Sequence, residues 1–559
     1  MSGEGKTAES LKVIPLGGLG EIGLNMMAME YGDSIIVIDC GLMFPEDYML
    51  GIDIVIPDVS YLKANADKVK AFIITHGHED HTGALPFVLR EVNAPIYATA
   101  LTIGLIEEKL SEFDILKSTT FETVRPRDRV SIGPFDIEFI RVSHSIVDAC
   151  GLAIRTPVGT VVHTGDFKMD QTPVDGEVMD YARFSEYGES GVLLFMSDST
   201  NVEKEGYTLS EREIGYNLEE IFRKCSGRII VAAFSSNIHR IQQVIDAAAK
   251  FGRKVVLNGK SMVANVRIAR ALGYLRAPDE LFIDLKEVDG IPHEHLVLLT
   301  TGSQGEPMSA LTRMAMNNHK QIKVAKGDTI ILSSKFIPGH EKAISTMMNH
   351  LYRRGADVIY EKVSEVHVSG HASQEELKIM LNMVKPKYFL PVHGEYRHLV
   401  LHGRLAGKVG VPEENVIIAE DGDVVELTAG GGLVRGGRVE SGRVFVDGKG
   451  VGDVGEMVLK DRSHLAQDGM VLTVVAINST TGEIVYGPEI VTRGLVHEDE
   501  SADLIENAKA VIMDTLNSIN AEVKTEQLEV KEEVRRALRR YFNKTLERRP
   551  VILPVIIEI

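Results

Sequence analysis

His76, His78, Asp80 and His81 crowd three imidazoles and a carboxylate into six positions. Packed together, such groups repel one another or lose solvation, and a bound cation compensates all of them at once. On a tight loop alternate residues face different sides. His76 and His78 can then serve one metal while Asp80 and His81 serve another; Glu79, between them, points away. Four further residues stand just past apolar runs and could close such a site. They are Asp39, His144, Asp166 (in His163-Thr-Gly-Asp) and His393 (in Pro391-Val-His-Gly). Imidazole and carboxylate without thiolate suit Zn²⁺ or Mn²⁺.

The elements that must position these residues are short and apolar. The pattern predicts strands over Leu11–Leu16, Asn25–Glu30, Ser34–Asp39 and Ala71–Ile74, each bounded by Gly, Asp or a polar residue. A helix is expected over Thr82–Val92, then strands at Ile96–Ala98, Ile137–Val142, Leu152–Thr156 and Thr160–His163. Gly17, Gly18, Gly20 and Gly23 superficially match a dinucleotide fingerprint. The next residues read as strand, whereas a phosphate loop needs a helix there, so a hairpin turn is expected. Between about 215 and 368 the order becomes βαβ, with strands Arg228–Ala232, Lys254–Leu257, Val297–Thr300 and Thr329–Leu332 and a helix Ile238–Phe251. That order predicts a parallel sheet in a separate α/β domain inserted into the first. His371 and His393 then resume the chemistry of the first domain. Residues 429–455 are Gly-rich and linker-like, with room for a strand at Arg443–Asp447. Beyond them the pattern predicts strands near Gly455–Lys460 and at Met470–Ile477. Helices at about 501–519 and 525–546 and a last strand Val551–Glu558 complete a small α+β domain.

The chain has 559 residues, 44% hydrophobic and 25% charged, which is globular composition for several domains. Its formal charge of −19 excludes a diffuse basic coat but not a focused basic groove. Three cysteines, Cys40, Cys150 and Cys225, are too few and too scattered for a disulfide framework or a thiolate zinc cluster. They fit a reducing compartment. No secretory signal or apolar run of spanning length is visible, so the expectation is an intracellular, cytoplasmic protein without a membrane anchor.

The metal cluster with Asp39, His144, Asp166 and His393 resembles the metallo-β-lactamase superfamily. Ser197-Asp198-Ser199-Thr200, His367-Val-Ser-Gly-His371-Ala and Pro391-Val-His393-Gly-Glu are similar to motifs of its β-CASP branch of nucleic-acid hydrolases. Gly302-Ser-Gln-Gly-Glu-Pro-Met-Ser309 and a domain after a Gly-rich linker resemble ribonuclease J, over essentially the whole chain. The resemblance implies an α/β architecture: a metallo-β-lactamase αββα sandwich (1–215 and 369–428) with an inserted β-CASP domain (216–368). A linker (429–455) and a C-terminal α+β domain for self-association (456–559) would follow. It implies two divalent metal ions per subunit, zinc favoured over manganese. His76, His78 and His144 would hold one, Asp80, His81 and His393 the other, and Asp166 would bridge them. Asp39 would orient a ligand histidine. Asp80, Asp198 and His371 would be catalytic, with His371 stabilising the scissile phosphate or protonating the departing 3′ oxygen.

The activity implied is that of a ribonuclease in RNA maturation and decay, including ribosomal RNA processing. A dimetal-activated hydroxide would attack the phosphodiester, in 5′→3′ exonuclease action preferring a 5′ monophosphate and in endonuclease action. Ser235, Ser236, Ser369, Gly370 and His371 are the candidate donors to that terminal phosphate. An ordinary helix cap explains Ser235–Asn237 equally well. Lys260, Arg267, Arg270 and Lys335 are candidates to line a channel for single-stranded RNA, or are simply solvated charges. Aromatic residues make up only 6% of the chain, so binding is expected to be backbone-led and salt-dependent. A homodimer or homotetramer and partners from RNA-decay complexes are implied. The rival readings are a thioester or lactam hydrolase of the same superfamily, a non-catalytic relative and a DNA nuclease.

Overall fold

The computed structural model describes residues 10–306, 308–336, 340–448, 450–478, 481, 483–496, 502–519 and 527–559. Pro307 of the Gly302–Ser309 motif lies outside them. So do Ser501 and residues 525–526, where two C-terminal helices were expected to start. The described residues form two compact units, one within 10–44 and 54–444, the other within 45–53 and 445–559.

The larger unit is built on two sheets with a shared apolar core. One has eight strands, in the order Leu433–Arg438, Asp423–Leu427, Leu11–Gly17, Met26–Tyr31, Ser34–Ile38, Val69–Ile73, Ile96–Thr99 and Phe121–Val124. The other has six, in the order Tyr388–Val392, Leu194–Asp198, Thr160–His163, Cys150–Arg155, Phe135–Arg141 and Arg129–Ile132. Val13, Met29, Ile36 and Ala71 from the first pack with Phe139, Leu152, Leu194 and Leu390 from the second. The far face of the six-stranded sheet is also apolar. Val162 and Phe195 there join one cluster with Ile214, Leu218, Val231 and Ile241 of the inserted part. The insertion is thus seated on a continuous core. Its own sheet runs Lys254–Asn258, Leu296–Thr300, Ile229–Ala232, Thr329–Leu332, Asp357–Ile359, and every pairing is parallel, as βαβ order requires.

Three local expectations need correction. The helix expected over Thr82–Val92 is two short helices, Glu79–Thr82 and Leu85–Val88. The break lies at Gly83, where a Cβ would meet the Leu42 side chain at 2.4 Å, while Ala84 N–H donates to the Cys40 carbonyl. The strand expected near Gly455–Lys460 is a helix, Glu456–Asp468, ended by Gly469 at φ 72°. Within the expected linker, Leu433–Arg438 is an edge strand of the eight-stranded sheet, paired with Asp423–Leu427. Its exposed charges Arg435 and Arg438 on an edge disguise it in sequence.

In the smaller unit Met470–Ile477 is the central strand, antiparallel to Ile484–Arg493 and parallel to Val551–Glu558. Helices Ala502–Ser518 and Gln527–Leu546 share one core with the sheet, through Ile512, Leu516, Val534, Leu538 and Phe542.

Candidate metal centre

The strands of both sheets of the larger unit end at one place, and the expected ligands stand just past them. His76 and His78 follow Val69–Ile73, with Asp80 and His81 in the short helix Glu79–Thr82 just beyond; His144 follows Phe135–Arg141, Asp166 follows Thr160–His163 and His393 follows Tyr388–Val392. The ring nitrogens of His76, His78 and His144 lie close enough to hold one ion. Asp80, His81, Asp166 and His393 form a second such group, and Asp166, Asp198, His371 and His393 a third. Asp39 and His393 both adopt left-handed backbone, at φ 59° and 53°. This conformation disfavours L-residues and concentrates where the surroundings impose it.

The hydrogen bonds fix where the lone pairs point. Asp39 takes the Thr75 N–H on Oδ1 at 2.8 Å and the Thr75 hydroxyl on Oδ2 at 2.9 Å. The Thr75 proton is thereby used, so the 3.0 Å contact between Thr75 Oγ1 and His76 Nδ1 needs its proton on His76 Nδ1. His76 Nε2 is then a bare acceptor. His144 Nδ1 donates to the Gly370 carbonyl at 2.8 Å, which leaves its Nε2 bare too. Both bare nitrogens face His78 Nδ1, at 3.0 and 3.1 Å. One N–H cannot serve both well, whereas a cation serves all three. His81 Nδ1 donates to Asp39 Oδ2 at 2.8 Å and turns Nε2 toward Asp166 Oδ2 at 3.2 Å. His393 Nδ1 donates to Asp166 Oδ1 at 2.9 Å, and its buried Nε2 lies 3.4 Å from Asp80 Oδ2 without a well-formed hydrogen bond among the described residues. These donors fit divalent metal.

Protonation divides the imidazoles. Burial lowers His76 and His144, aided by neighbouring imidazoles, and lowers His78 to about 4. Burial also opposes charge on His81, His393 and His371, but carboxylates outweigh it. Asp166, Asp80 and Asp39 raise His81; Asp166 above all raises His393 to about 10; Asp198 raises His371. His371 Nδ1 lies 2.7 Å from Asp198 Oδ2, while Thr200 occupies Asp198 Oδ1 through its N–H and hydroxyl.

Several contributors escape a reading of the sequence. Thr75 sets the His76 tautomer. Asn25 places Nδ2 3.2 Å from His81 Nε2. Gly370 must lack a side chain, because a Cβ there would lie 2.6 Å from His144 Cε1. The buried carboxylate of Glu376 accepts from Met169, Thr208 and Ser373 N–H groups at 2.7 to 2.8 Å. It ties together the segments that carry Asp166, Thr208 and His371. Asn25 and Glu376 have no neighbours in sequence that announce them, whereas Thr75 stands beside the cluster and Gly370, already a candidate phosphate donor, shows its packing role against His144 only in the structure.

Gly370 and His371 lie against the candidate metal cluster, through His144, and Ser369 adjoins them through the His371 N–H. Ser235 and Ser236 share no hydrogen bond with them among the described residues. Ser235 Oγ accepts from Asn265, and Asn237, not a serine, caps the helix Ile238–Lys250. Of the cations expected to line a channel, Lys260 pairs with Glu112, Arg267 with Glu108 and Arg270 with Asp279. The first two join helix Lys260–Ala271 to helix Ala100–Glu112 across the insertion. Gly104 allows this approach, since a Cβ there would meet Ile268 Cγ2 at 2.7 Å. Their charge is spent on carboxylates, and only Lys335 of the four stands exposed without an ion-pair partner among the described residues.

Fold and site define a metallo-hydrolase of the β-CASP class. Residues 19–205 match the metallo-β-lactamase superfamily, 226–351 the ribonuclease J β-CASP domain and 355–418 the Zn-dependent metallo-hydrolase RNA specificity domain. Residues 457–559 match the ribonuclease J C-terminal domain. Ribonuclease J2 of Bacillus subtilis is 42% identical over 99% of this chain and 100% of its own length. Ribonuclease J of Thermus thermophilus is 43% identical over 99% and 96%, and that of Synechocystis 46% over 87% and 76%. A crystal structure of an Enterococcus faecalis protein of unknown function covers 75% of this chain and 100% of its own, with a TM-score of 0.52 at 18% identity, which supports the fold alone. The chain belongs to the ribonuclease J family and is a metal-dependent, RNA-binding ribonuclease. No helix among the described residues is long and apolar enough to cross a membrane.

Proposed function

We propose that the chain degrades single-stranded RNA in the 5′→3′ direction from 5′-monophosphate ends, and also cuts internally, in cytoplasmic RNA maturation and decay. Convergence of bare imidazole nitrogens beside the Asp198–His371 pair carries this reading. His76, His78 and His144 would hold one divalent ion and Asp80, His81 and His393 a second, with Asp166 between them. Zinc is favoured, with manganese the alternative. When bound, the ions would supply a water of lowered pKa and polarise the phosphoryl oxygens.

The remaining work falls to side chains of this chain. Asp39 holds the His81 ring in place, and Asp198 does the same for His371. Asp198 favours the protonated form of His371 against the opposing effect of burial, and the His371 side chain is 21% exposed, so Nε2–H can reach a bound phosphodiester. It would give its proton to the departing 3′ oxygen. Ser369, Gly370 and His371, with Ser235 and Ser236 as further donors, would hold the terminal phosphate of the substrate.

The smaller unit would join copies of the chain into a dimer or tetramer. Leu553, Val555, Ile557 and Val491 remain exposed in its sheet, each at least 39% accessible. Leu472 is the register partner of both Val491 and Leu553, which places these strands' side chains on one apolar face.

RNA carrying a 5′ label tests the direction of attack. Release of labelled mononucleotide, faster from monophosphate than from triphosphate ends, is expected. Internal fragments alone would refute exonuclease action. Cleavage of matched DNA or a lactam at the rate of RNA would favour the rival hydrolases.

A further inference from the structure

Asn201 stands in the segment after strand Leu194–Asp198 and belongs to none of the three groups able to hold an ion. Its Nδ2 lies 2.8 Å from Ser369 Oγ and 3.0 Å from the His371 carbonyl oxygen. A carbonyl only accepts, so the NH₂ end of the amide must face this pair, and one of its hydrogens goes to Ser369 Oγ. The His371 N–H donates to the same hydroxyl oxygen at 3.2 Å. A serine oxygen has two acceptor positions, and both are then filled from within the protein. The Ser369 proton finds no acceptor among the described residues. Ser369 is half-buried, so that proton can turn toward a ligand.

We propose that Asn201 is a positioning residue for substrate specificity: it locks Ser369 as a hydrogen-bond donor to the terminal phosphate of 5′-monophosphorylated RNA. This rests on the reading of Ser369 as part of the 5′-phosphate pocket. The oxygens of a phosphate dianion offer only lone pairs, so a hydroxyl confined to donating matches them. Without Asn201, Ser369 regains an empty acceptor position and can turn its proton inward. Thr208 Oγ1 also donates to the His371 carbonyl, at 2.9 Å, so that carbonyl keeps a partner when Asn201 is replaced.

The test compares kcat/KM for one oligoribonucleotide bearing a 5′ monophosphate or a 5′ hydroxyl. The ratio is taken within one preparation of full-length enzyme, so any loss of folded protein cancels. Asn201→Asp keeps the shape but replaces the donor with an acceptor. Asn201→Ala covers the case in which the added charge unfolds the chain. Each should lower the preference for monophosphate by about ten- to a hundredfold, the worth of one hydrogen bond to a charged group. Added to Ser369→Ala, they should lower it no further, because they act through the same hydroxyl. If Ser369→Ala loses the preference while both Asn201 variants keep it, the proposal falls and the phosphate pocket stands. Additive losses would also overturn it, since Asn201 would then act by another route. If Ser369→Ala keeps the preference, pocket and proposal fall together.

Discussion

The imidazoles of the site are of two kinds, and pH should tell them apart. His76, His78 and His144 are depressed by burial, His78 to about 4, and are neutral at pH 7. His81 and His393 are raised by carboxylates, His393 to about 10, and carry protons at pH 7 when no cation is present. A cation entering beside Asp80, His81, Asp166 and His393 must therefore displace protons, and its affinity falls as pH falls. The His76, His78 and His144 group needs no deprotonation until far lower pH. Titrating zinc into metal-stripped protein at pH 7.5, in buffers of different ionisation enthalpy, should reveal proton release. Lowering the pH to about 5.5 should strip the ion beside Asp80, His81, Asp166 and His393 before the one at His76, His78 and His144. Absence of proton release, or loss of both ions in one step, would contradict this division.

At the scale of elements, the segments just past the strands need explaining, because the candidate ligands stand at strand ends, on the loops that follow or, for Asp80 and His81, in the short helix Glu79–Thr82. Glu376 shows how the loops are held. Its carboxylate closes the first turn of helix Gln374–Val384 and accepts N–H groups from Met169 and Thr208 as well as Ser373. Glu376→Gln puts an NH₂ group where an acceptor is needed and should cost about 1–3 kcal/mol of stability. Turnover should fall more than substrate affinity, because the loops it joins carry Asp166 and His371. Thermal unfolding and steady-state kinetics check both parts; an unchanged kcat would refute the positioning role. The candidate ligands are legible in sequence, because His76-x-His78-x-Asp80-His81 is dense chemistry beside an apolar strand. Glu376 is not, because Gln374-Glu375-Glu376 reads as an ordinary solvated helix start and its partners are 168 and 207 residues away. The same limit hides Asn201 and the Glu108 and Glu112 partners of Arg267 and Lys260. Local pattern carries most strands correctly. It fails at Thr82–Val92, where packing of Gly83 on Leu42 breaks the helix. It fails again at residues 455–460, where an apolar run that fits a strand is wound into an exposed helix.

For the whole molecule, the proposed catalytic site and the proposed assembly face belong to different units. All residues of the three candidate ligand groups belong to the larger unit, whereas the exposed sheet face with Leu553, Val555 and Ile557 belongs to the smaller one. Val555→Glu would place a charge on that face without entering the core of Val534, Leu538 and Phe542. It should lower the mass seen by light scattering toward that of one chain, 61.5 kDa, and leave hydrolysis of short RNA intact. An unchanged mass would move the interface elsewhere.

The central claim is that the Asp80-bearing cluster binds metal and that this metal, with His371, cleaves RNA. The most direct measurement pairs metal content with RNA hydrolysis in one metal-defined buffer, for wild type, Asp80→Ala and His371→Ala. The account predicts that Asp80→Ala loses the ion of its own group, keeps the one at His76, His78 and His144, and loses cleavage. His371→Ala should keep its metal and lose cleavage by at least about a hundredfold, the usual worth of a general acid. Wild-type turnover by metal-replete His371→Ala, or by Asp80→Ala depleted of the ion of its own group, would contradict it.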